Sequence, residues 1–192
     1  MGGVPSKYNL EDMALDGIAL LDYLKINKAH IVGASMGGMI AQVISLNHPE
    51  RVMTLTGIMT TPGFDTAGLP GPYPEYLKVM KESFMLNLQN KPKESSEVVN
   101  LALIGPNFLE EERKNLMQIL NSMEKHGNNP DSGHMAAVGS SPNRLERLNE
   151  ISIPTLIIHG TEDPLIPVDH GIAIAKEIKN SKELIIAGMG HN

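Results

Sequence analysis

Near the start of the chain, the positions of the hydrophobic residues predict helices that alternate with short strands. After Asn9, a residue type that caps helices, apolar side chains repeat at helical spacing up to Leu24. The pattern then predicts the end of a short buried strand at 30–32, an apolar helix at 38–46 and a strand at Val52–Ile58. This alternation is typical of a parallel sheet covered by helices.

The middle of the chain has a different pattern, because prolines and glycines interrupt it before helical spacing returns. The predicted helical segments are 74–88, 95–103, 110–126 and a shorter piece at 134–138. No strand pattern accompanies them, so we predict a helical cap inserted into an α/β core. The predicted domain bounds are 1–68 for the first core segment, 69–143 for the cap and 144–192 for the second core segment.

The last part of the chain returns to the first pattern. Residues 153–159 form an apolar run, as expected of a strand buried on both faces. A helix at 168–178 and a last strand at 183–186 follow. We therefore predict an α/β fold with a mostly parallel sheet of about four strands, helices on both faces and the helical cap.

Composition narrows the classes of partner. The formal charge of −6 and the lack of a basic run argue against nucleic acid. No apolar stretch reaches the roughly 18 residues that span a bilayer, so we expect no membrane partner. The chain has no cysteine, which fits the cytoplasm as its expected location. The histidines show no zinc-ligand spacing, so we expect neither a metal nor another cofactor.

The candidate chemistry begins with Gly33-Ala34-Ser35-Met36-Gly37, a G-x-S-x-G pattern between the first strand and the second helix. A serine on such a turn presents its hydroxyl at the positive end of a helix dipole. We expect Gly33 and Gly37 because Cβ atoms there would collide with the tight turn, and the backbone N–H of Met36 is a candidate oxyanion donor. The alternative is that Ser35 only caps the helix.

Two candidate partners for this serine follow later strands. A serine hydroxyl needs a base within hydrogen-bond reach, and a histidine base needs an acid that holds its tautomer. Asp163 comes after the strand at 153–159, and His191 comes after the last strand. Loops at the carboxyl ends of parallel strands converge on one crevice, where open α/β sheets bind ligands.

Alternatives to this assignment are open at the level of the sequence. Asp163 is also suited to a turn before Pro164, which is a frequent role of aspartate. Glu162 and Asp65 are rival candidates for the acid. His191 is the penultimate residue, and the alternative is a terminal side chain without a role.

These motifs resemble those of the α/β-hydrolase superfamily, especially its bacterial lidded esterases and methylesterases. The matching segments are the elbow at 33–38, the acid loop at 159–167 and the stretch at 188–191 that carries the candidate base. Segments 8–13 and 48–52 resemble framework regions. The order Ser, Asp, His is the order in that superfamily.

The resemblance implies a partial α/β-hydrolase fold with Ser35 as nucleophile, Asp163 as acid and His191 as general base. It implies a carboxylesterase-like serine hydrolase that cleaves a small or medium ester through an acyl-enzyme. The alternatives are acyl transfer, thioester hydrolysis or perhydrolysis at the same triad, or an inactive module that binds a ligand. We expect Met39, Met59 and His134 to line the pocket, with core packing as the alternative.

The chain also departs from the superfamily pattern. Members carry several strands and a loop with a second oxyanion donor before the elbow, and this sequence shows neither before Ser35. The family's final helix is also lacking after His191. We therefore expect a truncated chain, weakly active or unstable alone. The elbow strand would then have an unpaired edge, open to homo-oligomer formation or segment swapping.

Overall fold

The computed structural model describes residues 7–107, 109–125 and 133–191. Helices and strands alternate at both ends of this range, and helices alone occupy its middle. In chain order the elements are α1 (Leu10–Tyr23), β1 (Ala29–Ala34), α2 (Met36–Asn47), β2 (Val52–Ile58), α3 (Pro74–Leu88), α4 (Pro92–Leu103), α5 (Glu110–Lys125), α6 (His134–Ser140), β3 (Thr155–Gly160), α7 (Asp169–Glu177) and β4 (Ser181–Ile186). Short 3-10 helices occupy Pro49–Arg51 and Leu145–Glu150.

The four strands form one parallel sheet in the order β1-β2-β3-β4. Gly33 of β1 pairs with Gly57 of β2, which pairs in turn with Ile157 of β3. The predicted α/β class and the predicted parallel sheet of four strands, with helices around it, are therefore confirmed.

The prediction of a buried first strand is wrong for two of its residues. Within the described sheet β1 is an outer strand. His30 is exposed, and Val32 keeps 65% of its surface accessible. The apolar character of residues 30–32 indicated a strand correctly but could not show that it lies at the side of the sheet.

The core packs around the two central strands. Leu55 of β2 and Ile157 of β3 each retain only 1% of their accessible surface. Both belong to one cluster of buried apolar residues, whose other members are Ala41, Leu148, Ile151, Ile174 and Ile178. Every residue of β3 is buried or half-buried, the half-buried ones being Leu156 and Ile158, as its apolar run predicts.

Helix ends follow local rules. The Asn9 side chain accepts from the backbone N–H groups of Glu11 and Asp12, while Asp12 accepts from the Asn9 N–H, which is a capping box. Helix α4 begins at Pro92 rather than at the predicted residue 95, because proline fits the first turn of a helix.

The described chain divides into two compact units. The first comprises residues 7–70, 133–159 and 168–185 and holds most of the sheet together with α1, α2, α6 and α7. The second comprises residues 71–107, 109–125, 160–167 and 186–191. The second unit therefore contains helices α3 to α5 and also the two loops that carry Asp163 and His191. The predicted domain bounds stay a prediction.

Within the described ranges no helix is both long and apolar enough to cross a membrane. The same residues contain no group of three or more histidine, aspartate or glutamate side chains that could hold a metal ion. The cytoplasmic location stays a prediction.

Candidate active site

The backbone at Ser35 has the strained geometry of a sharp strand-to-helix turn. Its φ of 52° and ψ of −120° lie outside the regions that residues with a Cβ normally occupy. The turn is held on both sides, because Ser35 N–H donates to the Ile58 carbonyl (2.9 Å) and the Thr60 hydroxyl donates to the Ser35 carbonyl (2.8 Å). Such a turn matches the nucleophile elbow of α/β hydrolases.

The Ser35 side chain is half-buried and occupies the N-cap position of α2. It makes no capping hydrogen bond to the helix. Serine caps helices by accepting from backbone N–H groups of the first turn. The geometry therefore gives no support to the alternative that Ser35 is only a cap.

The elbow glycines are not equivalent. A Cβ on Gly33 would lie within 3.0 Å of the Gly37 carbonyl and the Gly38 nitrogen, so no side chain fits there. A Cβ on Gly37 would meet no atom of the described residues within 4 Å. The expected collision is therefore wrong for Gly37. The second tight position is Gly38, whose Cβ would collide with the Thr60 side chain.

Met36 is the first residue of α2 and is half-buried. Backbone N–H groups in the first turn of a helix have no acceptor within the helix. The Met36 N–H is therefore chemically suited to an oxyanion, and its assignment as the donor stays a prediction.

Asp163 is fully buried in the second unit, in the loop after β3. Its Oδ1 accepts from the backbone N–H groups of Leu165 (3.0 Å) and Ile166 (2.8 Å). Its Oδ2 lies 2.6 Å from Nδ1 of His191. Oδ1 thus makes the turn that the sequence offered as an alternative, and Oδ2 contacts the candidate base. The role of Asp163 as the acid stays a prediction.

His191 retains 7% of its accessible surface and lies in the same unit as Asp163. An ionised carboxylate only accepts hydrogen bonds. Nδ1 of His191 therefore carries a proton and donates it in the hydrogen bond to Asp163 Oδ2. A bond of 2.6 Å is short for a nitrogen donor and is typical of charge-assisted pairs. The neutral ring then keeps an unprotonated Nε2, the atom that acts as base in a serine triad.

The rival acids have different surroundings. Glu162 is exposed, and its carboxylate accepts from the neighbouring Thr161 hydroxyl at 3.3 Å. Asp65 is exposed in the first unit, where its charge acts on Arg144. The structure therefore joins His191 to Asp163, the acid that the resemblance implies.

Tyr76 of α3 lies near Asp163, and the sequence analysis did not identify it. It retains 5% of its accessible surface, and burial together with the charge of Asp163 raises the pKa of its phenol. Near the start of the same helix, Tyr73 N–H donates to the Pro164 carbonyl at 2.8 Å. Tyr76 follows no motif, and helical spacing alone marks it only as a core residue.

The predicted pocket residues lie in varied surroundings within the first unit. Met39 is buried in α2, and Met59 is half-buried with a φ of 41°. His134 is exposed at the start of α6, and its ring meets Tyr8 edge-on with centroids 6.5 Å apart. Their role as pocket lining stays a prediction.

Arg144 is a buried cation in the first unit, and the sequence analysis did not identify it as buried. Arg144 retains 4% of its surface, and its guanidinium donates to the carbonyl oxygens of Pro142 (2.9 Å) and Thr61 (3.4 Å) and to Gln42 Oε1 (3.4 Å). Burial lowers the pKa of Arg144 to about 10, and the charge of Asp65 opposes that shift. Arg144 also lines a cavity of about 100 Å³. An isolated arginine between loops leaves no periodic signal.

The chain is similar to known proteins over nearly its whole length. The α/β hydrolase fold family matches residues 3–192. The chain is 29% identical to rhodomycin D methylesterase DnrP of Streptomyces peucetius, over 96% of this chain and 67% of that protein. It is 31% identical to a 2-hydroxy-6-oxononadienedioate/2-hydroxy-6-oxononatrienedioate hydrolase of Paraburkholderia phymatum, over 97% of this chain and 63% of that protein.

Solved structures agree on the fold. A hydrolase from Pseudomonas aeruginosa PA01 superposes with a TM-score of 0.74 at 25% identity, over 99% of this chain and 68% of that chain. The chain thus spans between 63% and 67% of the length of the two curated relatives above. With its parallel sheet, its strained serine turn and a family match over nearly its whole length, the chain belongs to the α/β hydrolase fold family.

Proposed function

We propose that this chain is a serine hydrolase that cleaves a small or medium carboxylic ester with Ser35, His191 and Asp163. The observation that carries the proposal is the buried 2.6 Å hydrogen bond between Asp163 Oδ2 and His191 Nδ1. That bond selects the ring tautomer in which Nε2 is the base. The strained backbone of Ser35 and membership of a hydrolase family support the nucleophile.

In the proposed reaction His191 Nε2 takes the proton of the Ser35 hydroxyl while Oγ attacks the ester carbonyl carbon. The Met36 N–H donates to the resulting oxyanion. The intermediate collapses, the C–O bond to the alcohol breaks, and the alcohol leaves with the proton from His191. Water then gives a proton to His191 Nε2 while its oxygen attacks the acyl carbon of acyl-Ser35. The second intermediate collapses, the bond from the acyl carbon to Ser35 Oγ breaks, Oγ takes the proton back from His191, and the carboxylic acid leaves.

The proposed ester class draws support from a relative. DnrP is named a methylesterase and is 29% identical to this chain over 96% of its length. A second candidate is hydrolysis of a 2-hydroxy-6-oxo-dienedioate, because a relative named for that substrate is 31% identical over 97% of this chain. Both reactions would use the same three side chains.

The nucleophile is tested with a fluorophosphonate probe, which labels activated serines. We expect labelling of the folded wild-type chain and its loss in Ser35→Ala. The control is Ser152→Ala, which removes an exposed hydroxyl from the same unit and should label as the wild type does. A folded wild type that takes no label would overturn the proposal and favour an inactive ligand-binding module.

The reaction type is tested with a substrate panel on the wild type and Ser35→Ala. We expect turnover of p-nitrophenyl butyrate and of a methyl ester in preference to 2-hydroxy-6-oxononadienedioate. The opposite preference would favour the second candidate. Added hydroxylamine separates hydrolysis from acyl transfer, because a transferase would form the hydroxamate at the expense of the acid.

A further inference from the structure

The loop that carries His191 is hydrogen-bonded to the end of α4 and to the residues that follow it, eighty or more positions earlier in the sequence. His191 N–H donates to the Leu103 carbonyl at 2.7 Å. The Asn107 amide donates to the Ala187 carbonyl at 3.3 Å. All four residues belong to the second unit. We call residues 103–107 the α4 clamp and residues 187–191 the base loop.

The two segments approach each other so closely at Gly105 and Gly190 that neither position has room for a side chain. A Cβ on Gly105 would lie within 3.0 Å of the Gly188 carbonyl oxygen and the Gly190 nitrogen. A Cβ on Gly190 would lie equally close to the Leu103 carbonyl oxygen and the Gly105 nitrogen. The obstacles are backbone atoms on both sides, so a small rotation of a side chain cannot relieve either collision.

Gly188 ties the base loop to the clamp in a further way. It has a φ of 76°, a backbone conformation that side chains rarely adopt. A Cβ there would also collide with the Asn107 amide. The backbone of the base loop is thus fitted to the clamp at three places: Ala187 and Gly188 against Asn107, Gly190 against Gly105, and His191 against Leu103.

The acid loop also contacts the base loop, at Gly188 and Met189. Glu162 N–H donates to the Met189 carbonyl at 3.0 Å, and Gly188 N–H donates to the Thr161 hydroxyl at 2.9 Å. A Cβ on Gly160 would collide with the Met189 carbonyl. The base loop therefore depends on two partners, the acid loop that supplies Asp163 and the α4 clamp, which supplies no group to the proposed chemistry.

We propose that the α4 clamp is a positioning element for the general base, with Gly105 as its key residue. The clamp fixes the backbone of the base loop in the position from which Nδ1 of His191 donates to Asp163 Oδ2 at 2.6 Å. Its effect on turnover rests on the proposed function, whereas its effect on the acid–base pair does not. Supporting contacts of this kind decide whether a catalytic group is held to within a fraction of an ångström.

The test substitutes Gly105→Ala and follows two properties. The first is the NMR resonance of the His191 Nδ1 proton, which a short bond to a carboxylate shifts far downfield. We expect the resonance to move upfield or broaden in the variant. The second is kcat/KM for p-nitrophenyl butyrate, which we expect to fall by about 10–100-fold through kcat with little change in KM, as for a misplacement of about 1 Å.

The matched control is Gly71→Ala. Gly71 lies in the same unit, and a Cβ there would meet none of the described residues within 4 Å. We expect this variant to keep the downfield resonance and the wild-type rate. A wild-type resonance and rate in Gly105→Ala would overturn the proposal.

A second variant covers the case in which Gly105→Ala does not fold, as judged by circular dichroism. Asn107→Ala adds no atoms and removes the side-chain amide that donates to the Ala187 carbonyl and lies against Gly188. We expect a smaller upfield movement of the same resonance and a loss of rate of severalfold. A folded Asn107→Ala with the wild-type resonance and rate would overturn the proposal. A wild type that shows the resonance but no hydrolysis would instead count against the proposed function alone.

Discussion

The serine turn and the acid–base pair reach their geometry by different means. Ser35 owes its strained backbone to Gly33 and Gly38, within three positions of it, and to hydrogen bonds with Ile58 and Thr60, which lie 23 and 25 positions later in the same unit. His191 is held instead by a carboxylate 28 positions earlier and by a segment more than eighty positions earlier.

The difference teaches how the serine turn and the Asp163–His191 pair can each fail. The turn depends on a few residues of one unit, so damage there should appear first as lost stability of the turn. A group held by distant loops is sensitive to anything that moves those loops. Damage there should appear first as lost alignment, with the fold retained.

The largest expected effect is that of Asp163→Asn. The amide preserves the shape but favours the wrong tautomer of His191, so we expect kcat to fall by about 10³–10⁴-fold with the fold intact. The matched control is Glu162→Gln, because Glu162 is exposed and adjacent. Initial rates of ester hydrolysis measure both variants. Equal losses would show that the acid has been assigned to the wrong carboxylate.

The second effect concerns the elbow glycines. Gly33→Ala forces a methyl group against backbone, so we expect the free energy of unfolding to fall by about 1–3 kcal/mol. Gly37→Ala adds the same methyl group where the described residues leave room for it. It replaces glycine within a helix, so we expect no loss and a gain of up to about 1 kcal/mol. Urea unfolding of both variants checks this, and a Gly37→Ala as unstable as Gly33→Ala would contradict the local account of the turn.

The smallest expected effect is a pH dependence from Tyr76. Burial and the charge of Asp163 raise its pKa in the folded state, so folding binds the phenolic proton more tightly. This contribution to stability is complete below the unfolded pKa of about 10 and is lost as the pH rises through the folded pKa. Wild type should therefore lose more stability than Tyr76→Phe between about pH 9 and 11 in urea unfolding. Equal losses would show that folding does not raise the pKa of Tyr76.

Much of the fold was predictable because its signals are local. The capping box at Asn9 and Asp12 sets the start of α1, and the predicted bounds of α3 match Pro74–Leu88. The apolar run at 153–159 predicts a strand covered on both faces, and every residue of β3 is buried or half-buried. Each of these features depends on residues within a few positions of one another.

The parts that were missed depend on contacts between distant segments. The exposure of Val32 follows from the place of β1 in the sheet, and the fit of Gly105 against Gly190 follows from two loops that meet only in the folded chain. Backbone contacts between glycines leave no hydrophobic period to detect. Gly37 is the opposite case, because the G-x-S-x-G pattern requires a glycine there although the described residues leave room for a side chain.

One further consequence comes from where α4 ends. Leu103 is its last residue, and the carbonyl groups of a final helical turn have no donor within the helix. The His191 N–H occupies one of these spare acceptors. Amide hydrogen exchange at His191 should therefore report the fraying of α4, a helix whose own sequence holds no catalytic group. We therefore expect the alignment of the proposed base to last only as long as the end of this helix stays folded.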